Sequence, residues 1–361
     1  SSIYTISIGA ISVYGLSTFF GEMCPSTNAV VFTGDPHRKI FKVNSIVTTN
    51  LHHRCAKYFR GTSAAAPLAA GVFALVLEAN PNLTWRDLQH LIVKTAKNTS
   101  ICDPGWRRNA AGNDFNPKFG FGRIDADAMV TAAFNWTNVS QQLKCILSRS
   151  SEDSMIPSGD RVNIKEILSD CAITKLEHVQ FIVTLKHRRR GDLSIAIKSP
   201  QGTESVLLAI RPKDNSFSGL KNWAFMTLQL WGENPLGTWL VTCTDNSKTK
   251  NHKKKMEHDM EDLQRQIIQS RKQTLNTMDD LQSKVVYDSV KGEFTKDKIP
   301  VIMDDEIDCG RTREEYMKTE IIKDEHDVSQ RNKIPFDIYT KDSPIAGYIV
   351  KYSFVFWGTK E

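Results

Sequence analysis

The sequence lacks the features that would place it in a membrane or on a nucleic acid. No stretch approaches the roughly 18 to 20 uninterrupted apolar residues of a membrane-spanning helix, so we expect no membrane span in this chain. Residues 1–16 have neither the basic start nor the cleavage site of a signal peptide. The net charge is +6, but the basic runs at 188–190 and 253–255 have no interleaved aromatic residues, so we expect no nucleic-acid partner.

The seven cysteines contain no Cys-x-x-Cys pair, which argues against a zinc site and for disulfide bonds. Because their number is odd, at least one cysteine is free or has its partner outside the chain. Asn-x-Ser/Thr sequons, the acceptor sites of N-glycosylation, fit the same oxidising environment. They predict a secreted or lumenal protein that is glycosylated at Asn82, Asn98, Asn135 and Asn138.

With 361 residues, the chain is long enough for two domains that each have a core. In the first, small and apolar residues predict a strand at 3–11 and a helix at 63–79 that is buried on most of its faces. Thr84 and Asp87 predict the start of a second helix, and Asp125 predicts the start of a third. From about residue 140, alternating apolar runs separated by glycine-containing turns predict an all-β sandwich.

A highly charged segment at about 247–343 interrupts the predicted sandwich before its last strand, at 348–358. Met256, Met260, Leu263 and Ile267 recur at helical spacing, but this register is lost after Ile268. We interpret the segment as a charged, partly helical insertion. Two alternatives stay open, namely a coiled coil that binds a partner and an artefact of the gene model.

The sharpest functional signal is the run Gly-Thr-Ser-Ala-Ala-Ala-Pro at 61–67, which opens the predicted 63–79 helix. A hydroxyl at a helix N-terminus lies near backbone N–H groups and the positive end of the helix dipole, which can stabilise an oxyanion on an attacked carbonyl. Ser63 is therefore a candidate nucleophile. The alternative, from spacing alone, is that Ser63 merely caps the helix.

The run at 61–67 resembles the nucleophile motif of the subtilisin superfamily. With Leu-Glu-Ala-Asn at 77–80 and Leu-Thr-Trp-Arg-Asp at 83–87, it resembles furin and the proprotein convertases, nearest their neuroendocrine branch. The stretches at 189–193 and 231–239 resemble the convertase P domain. The resemblance implies the C-terminal part of an α/β subtilisin-like domain at 1–140. An all-β, jelly-roll-like P domain would follow at 141–361, interrupted by the charged insertion.

The activity that the resemblance implies is that of a calcium-dependent serine endopeptidase of the subtilisin/kexin type. Its partners would be polypeptide precursors, which it would cleave on the C-terminal side of paired basic residues. The location implied is the lumen of the Golgi or secretory granule, or outside the cell if the protein is secreted. Ser63 would be the nucleophile, and the Ser63 N–H would form part of the oxyanion hole. Glu22 matches a carboxylate with which the family binds calcium, although calcium prefers about six to eight oxygen ligands.

The chain departs from the family pattern in what precedes Ser63. In the family the catalytic Asp and His come before the Ser along the chain, and their Asp-Ser/Thr-Gly and His-Gly-Thr signatures are absent here. The oxyanion Asn of the family also lies upstream of the motifs present. We assign no catalytic role to His90, which matches a structural helix residue. The chain alone is therefore expected to be inactive and to need its own missing N-terminal half as a partner.

The alternative is a non-catalytic binding or regulatory protein that folds around the P domain, with apolar helices that are poorly covered. The cysteines fit a missing upstream part as well. Cys24 and Cys55 match family cysteines whose partners lie upstream, whereas both members of the P-domain disulfide, Cys145 and Cys171, are present. A bridge from Cys243 to the cysteine at 309 is a further hypothesis.

Overall fold

The computed structural model describes residues 2–34, 46–247 and 345–360. All of these belong to one compact unit of the chain. The charged insertion that the sequence predicts at about 247–343 lies almost wholly outside the described residues.

The first part of the chain is a small α/β unit. Strands β1 (Ile8–Ile11) and β2 (Ala29–Phe32) pair in parallel, while β3 (Ile46–Asn50) and β4 (Arg54–Phe59) form an antiparallel hairpin. Helices α1 (Thr62–Ala79) and α2 (Trp85–Thr95) follow. A short antiparallel pair, β5 (Arg107–Arg108) and β6 (Asp114–Phe115), precedes helix α3 (Ala126–Phe134). The strand predicted at 3–11 is therefore confined to its last four residues.

The predicted starts of α2 and α3 are confirmed. The Thr84 side chain accepts a hydrogen bond from Asp87 N, and Asp87 Oδ2 accepts one from Thr84 N at 2.7 Å, which completes a capping box. Asp87 is fully buried and also accepts from Trp136 and from Val139 N. Burial raises the pKa of this carboxyl, but these hydrogen bonds outweigh it and lower the pKa below its usual value. At α3, Asp125 accepts from Ala128 N.

Helix α1 is the main departure from the sequence prediction. It packs against α3, β1 and β2, and only Ala64, Ala65, Ala69 and Val76 are buried. Leu68, Leu75 and Leu77 remain 42%, 53% and 37% exposed. The prediction that α1 is buried on most of its faces is therefore wrong, because too few described elements surround it.

Within the described residues, α1 is also the one helix that is long and apolar enough to cross a membrane. No membrane-spanning segment was expected from the sequence. The property concerns length and composition only, and a core helix of a soluble protein shares it.

The rest of the described chain is a sandwich of two four-stranded antiparallel sheets. One has the order β12-β9-β14-β7 and the other the order β11-β10-β13-β8. Their strands are β7 (Leu143–Pro157), β8 (Arg161–Leu168), β9 (Lys175–His187), β10 (Leu193–Lys198), β11 (Glu204–Leu208), β12 (Leu220–Thr227), β13 (Gly237–Asp245) and β14 (Ile345–Thr359). The alternating apolar side chains of both sheets meet in one core, where Trp239, Phe181, Phe354 and Phe356 are fully buried.

Strand β14 pairs with both β7 and β9, so the strand predicted after the insertion is placed inside the sheet. The fold class predicted from the sequence, an α/β part followed by an all-β sandwich, is confirmed. Hydrogen bonds join the two parts, including Leu228 N to Pro25 O and Asn109 Nδ2 to Trp231 O, both at 2.9 Å. The domain boundary near residue 140 stays a prediction.

Candidate active site around Ser63

The candidate nucleophile Ser63 is the second residue of α1 and is exposed. Gly61, directly before the helix, has φ 110°, a conformation that residues with a Cβ rarely adopt. A Cβ on Gly61 would meet only Ser63 N, at 3.9 Å, so this position needs glycine for its backbone conformation rather than for space. The local sequence therefore turns the chain sharply into α1 and leaves the Ser63 hydroxyl at the surface.

The structure does not support the alternative in which Ser63 caps the helix. The cap position is Gly61, which has no side-chain cap hydrogen bond, so Ser63 lies inside the first turn. The first N–H groups of a helix have no partner within the helix and carry its positive partial charge. This turn is consequently able to stabilise an anion that forms next to Ser63 Oγ.

Within the described residues, no hydrogen bond links Ser63 to a base. His52 and His53 lie in the turn between β3 and β4, with φ 58° and 56°. His90 is held on α2 by Glu177, whose Oε1 lies 2.8 Å from His90 Nε2. This contact agrees with the structural role that the sequence analysis assigned to His90.

Glu22, the predicted calcium ligand, is exposed. Among the residues that the structure describes, no group of three or more His, Cys, Asp or Glu side chains could hold a metal ion. One exposed carboxylate cannot supply the oxygen ligands that calcium needs. The residues described here therefore do not fit a complete calcium site.

The Cys145 and Cys171 sulfurs are joined in a disulfide, the pair that the resemblance implies. Cys24, Cys55 and Cys243 are free thiols, so the hypothesis of a bridge from Cys243 to residue 309 is wrong. Burial of Cys243 between the two sheets raises the pKa of its thiol to about 12, which keeps the thiol unreactive.

The four sequon asparagines, Asn82, Asn98, Asn135 and Asn138, are all exposed, and their glycosylation stays a prediction.

One group of polar side chains was missed by the sequence analysis, and it lies between α2 and β9. Glu177 accepts hydrogen bonds from Arg86 Nε at 3.1 Å and from Gln142 Nε2 at 2.7 Å, besides its contact with His90. Burial raises the pKa of Glu177, but the hydrogen bonds from His90 and Arg86 outweigh it and lower the pKa to about 2. Residues 176–180, Leu-Glu-His-Val-Gln, also resemble the convertase P domain, but nothing local in the sequence indicated the partners of Glu177.

Trp231 extends this cluster. Its ring contacts the rings of His90 and His178 edge-on, with centroids 4.8 and 5.5 Å apart. His178 is buried, and neither of its ring nitrogens has a hydrogen-bond partner in the described structure. Burial therefore lowers the pKa of His178 to about 4, and the ring is neutral near pH 7.

The nucleophile motif lies at the start of α1, and an antiparallel sandwich follows it. This order is that of a subtilisin-like peptidase part followed by a P-domain-like sandwich. Comparison with known proteins agrees, because residues 1–122 match the subtilase family and residues 176–257 match the proprotein convertase P-domain. The chain belongs to the subtilase family and carries a proprotein convertase P-domain.

Individual relatives support this assignment. The chain is 52% identical over 251 residues to a PC3-like endoprotease, variant B, of Hydra vulgaris, covering 68% of this chain and 35% of that protein. It is 43% identical over 258 residues to furin of Mus musculus, covering 70% of this chain and 32% of furin. The chain thus spans about a third of the length of these relatives.

Among solved structures, a serine protease of Aeromonas sobria has the same fold over 66% of this chain and 50% of its own, with a TM-score of 0.60 and 22% identity. The same type of protease in complex with its chaperone, ORF2, gives a TM-score of 0.64 over 98% of this chain and 57% of its own, at 18% identity.

Proposed function

We propose that these residues are part of a calcium-dependent serine endopeptidase that processes polypeptide precursors after paired basic residues in the secretory pathway. The observation that carries the proposal is the position of Ser63, exposed in the first turn of α1, which begins directly after the sharp turn at Gly61. The Cys145–Cys171 disulfide and the four exposed sequons are consistent with an oxidising lumen or a secreted protein.

In this reaction Ser63 Oγ attacks the carbonyl carbon of the scissile peptide bond, and the Ser63 N–H donates to the oxyanion that forms. The peptide nitrogen leaves with a proton, and water then hydrolyses the acyl-enzyme. The described residues give Ser63 no base, so the proton must be taken by a group in the upstream half. Loss of triad members costs about 10^6 in kcat in comparable enzymes, so the chain alone should be inactive.

The test uses a fluorogenic peptide with a paired basic site, the 361-residue chain, and a longer protein that extends this chain upstream as the proposal requires. The longer protein should hydrolyse the peptide, and both Ser63→Ala and calcium chelation should abolish hydrolysis. Ser169→Ala, at an exposed loop position after β8 and outside any sequon, serves as the matched control and should leave the rate unchanged. Hydrolysis that survives Ser63→Ala would rule out the assigned nucleophile.

A second candidate is a non-catalytic binding or regulatory protein built on the P domain. The exposed apolar side of α1 and the isolated Ser63 hydroxyl favour it for a chain of this length. The size and N-terminal peptide of the native protein, captured with an antibody against the sandwich, distinguish the two. A native protein that begins at Ser1 and has no peptidase activity supports the second candidate.

A further inference from the structure

The sheet β12-β9-β14-β7 has one face in the core and one face directed away from it, which we call the outer face. On β14, Tyr352, Phe354 and Phe356 belong to the core, so the alternate residues Lys351, Ser353 and others lie on the outer face. The strand pairing places Ser353 beside Ser148 and Ile182, and Lys351 beside Thr184. A groove of about 350 Å³ lies there, lined by Ser148, Arg149, Ile182, Thr184, Asn222, Lys351, Tyr352 and Ser353.

Basic residues outnumber acidic ones on this sheet. Its strands carry Lys144, Arg149, Lys175, Lys186, Lys221 and Lys351. The acidic residues of these strands are Glu177, which is buried against Arg86, and Glu152 and Asp153 of β7. Arg149 is partly neutralised by Glu166 of the other sheet, at 3.3 Å. The strands therefore carry six basic residues against three acidic ones, and the sheet has a net positive charge.

Two of these lysines are supported by aromatic rings of the same face. Lys144 lies over the Trp357 ring, with its Nζ 4.8 Å from the ring centroid, and Lys186 lies over the Tyr348 ring at 5.9 Å. Lys351 is exposed between them along β14. Trp357 and Lys351 are six residues apart, or about 20 Å at the rise of a β-strand, so a single small anion cannot reach all three lysines.

The groove between the lysines is lined mostly by hydroxyl and amide groups. Asn222 lies at an irregularity in the pairing of edge strand β12 and has φ 44°, a left-handed conformation that Asn tolerates better than most residues. Its backbone N–H donates to Thr184 Oγ1 at 2.9 Å, and Thr184 Oγ1 donates to Asn222 Oδ1 at 3.1 Å. These contacts hold the Asn222 amide at the groove, with its NH₂ group available as a donor.

We propose that the outer face binds a sulfated polysaccharide chain. Lys144, Lys186 and Lys351 contact sulfate groups along the chain, and the Asn222 amide and the hydroxyls of Ser148 and Ser353 contact sugar hydroxyls. An extended polyanion matches the spread of the lysines, and its hydroxyl groups match the polar groove. An acidic peptide would leave the hydroxyl and amide lining unused, and an anionic membrane would need apolar side chains that protrude beyond the lysines.

The test measures retention of the full chain on immobilised heparin at increasing salt. The triple variant Lys144→Ala, Lys186→Ala and Lys351→Ala should bind about tenfold more weakly, because three exposed charge contacts are lost. The matched control removes three exposed lysines elsewhere, Lys97→Ala, Lys165→Ala and Lys198→Ala, and should bind as the unchanged chain does. Circular dichroism checks that both variants fold.

Lys351→Glu keeps the test valid if the triple variant does not fold, since Lys351 is exposed and its charge reversal should weaken binding on its own. Asn222→Gly removes the amide but preserves the left-handed backbone, and it should weaken binding to heparin but not to polyglutamate. Unchanged heparin binding by the triple variant and by Lys351→Glu would overturn the proposal. Equal or tighter binding to polyglutamate, duplex DNA or phosphatidylserine vesicles at the same salt would also overturn it.

Discussion

Arg86 on α2 and Glu177 on β9 form a buried ion pair across 91 residues of sequence, with Arg86 Nε donating to Glu177 Oε2 at 3.1 Å. Arg86 also donates to Ser140 O at 2.7 Å. A single guanidinium therefore joins the helix that follows the nucleophile helix, the segment between the two parts and the sandwich.

Removing one partner of this pair should strongly destabilise the chain. Glu177→Gln leaves the Arg86 guanidinium buried without a counter-charge, which typically costs about 3 to 5 kcal/mol. Urea unfolding followed by tryptophan fluorescence measures the change. The matched control is Arg108→Ala, which breaks the exposed pair with Asp114 and should shift the midpoint little. Equal effects of the two variants would contradict the structural role of the Arg86–Glu177 pair.

His178 should make the stability depend on pH between about 6.5 and 4. Its folded pKa is about 4 and its ordinary value is 6.5, so below pH 6.5 the unfolded chain takes up a proton that the folded chain does not. The free energy of unfolding should therefore fall by about 3 kcal/mol as the pH is lowered from 6.5 to about 4. Glu177 acts at lower pH, because its contribution is lost between 4.5 and about 2.

The measurement is the free energy of unfolding at several pH values for the unchanged chain and for His178→Gln, which should flatten the profile from pH 6.5 to 4. His52→Asn is the control, because His52 is exposed and Asn tolerates its left-handed backbone. A profile that His178→Gln leaves unaltered would show that another group titrates in this range.

The disulfide between Cys145 and Cys171 should stabilise the sandwich. It closes a loop with a sequence separation of 26, for which the chain-entropy relation gives about 3.5 kcal/mol. The double variant Cys145→Ala and Cys171→Ala should therefore unfold at lower urea concentration by that free energy. Cys55→Ser, which changes an exposed free thiol, should have little effect. A double variant as stable as the original would mean that the loop is already ordered without the bond.

Leu75 on α1 tests whether a longer protein covers this helix. In the 361-residue chain Leu75 is 53% exposed, so Leu75→Ala should change the free energy of unfolding by no more than about 0.5 kcal/mol. If upstream elements cover the helix in the proposed peptidase, the same substitution should cost about 2 kcal/mol or more in the longer protein. Val76→Ala, at a fully buried position, should destabilise both proteins. Equal small effects of Leu75→Ala in both would argue against coverage of this face.

The sequence by itself determined the features that depend on neighbouring residues. The Gly-Thr-Ser run fixed the start of α1, the Thr84 and Asp87 side chains fixed the start of α2, and apolar alternation fixed the strands of the sandwich. These features were predictable because capping, turns and two-residue periodicity act over a few positions. The motifs also indicated the family over most of the chain.

Only the tertiary structure decided which faces are covered and which distant side chains meet. Composition alone suggested that α1 is buried, but exposure depends on what packs around a helix, and α3, β1 and β2 cover only one side. The basic residues of the outer face come together through strand order, which brings β14 between β7 and β9, and Glu177 meets its partners because α2 packs near β9. No local pattern encodes such contacts, because the residues that form them are separated by long stretches of chain and meet only when the sheets assemble.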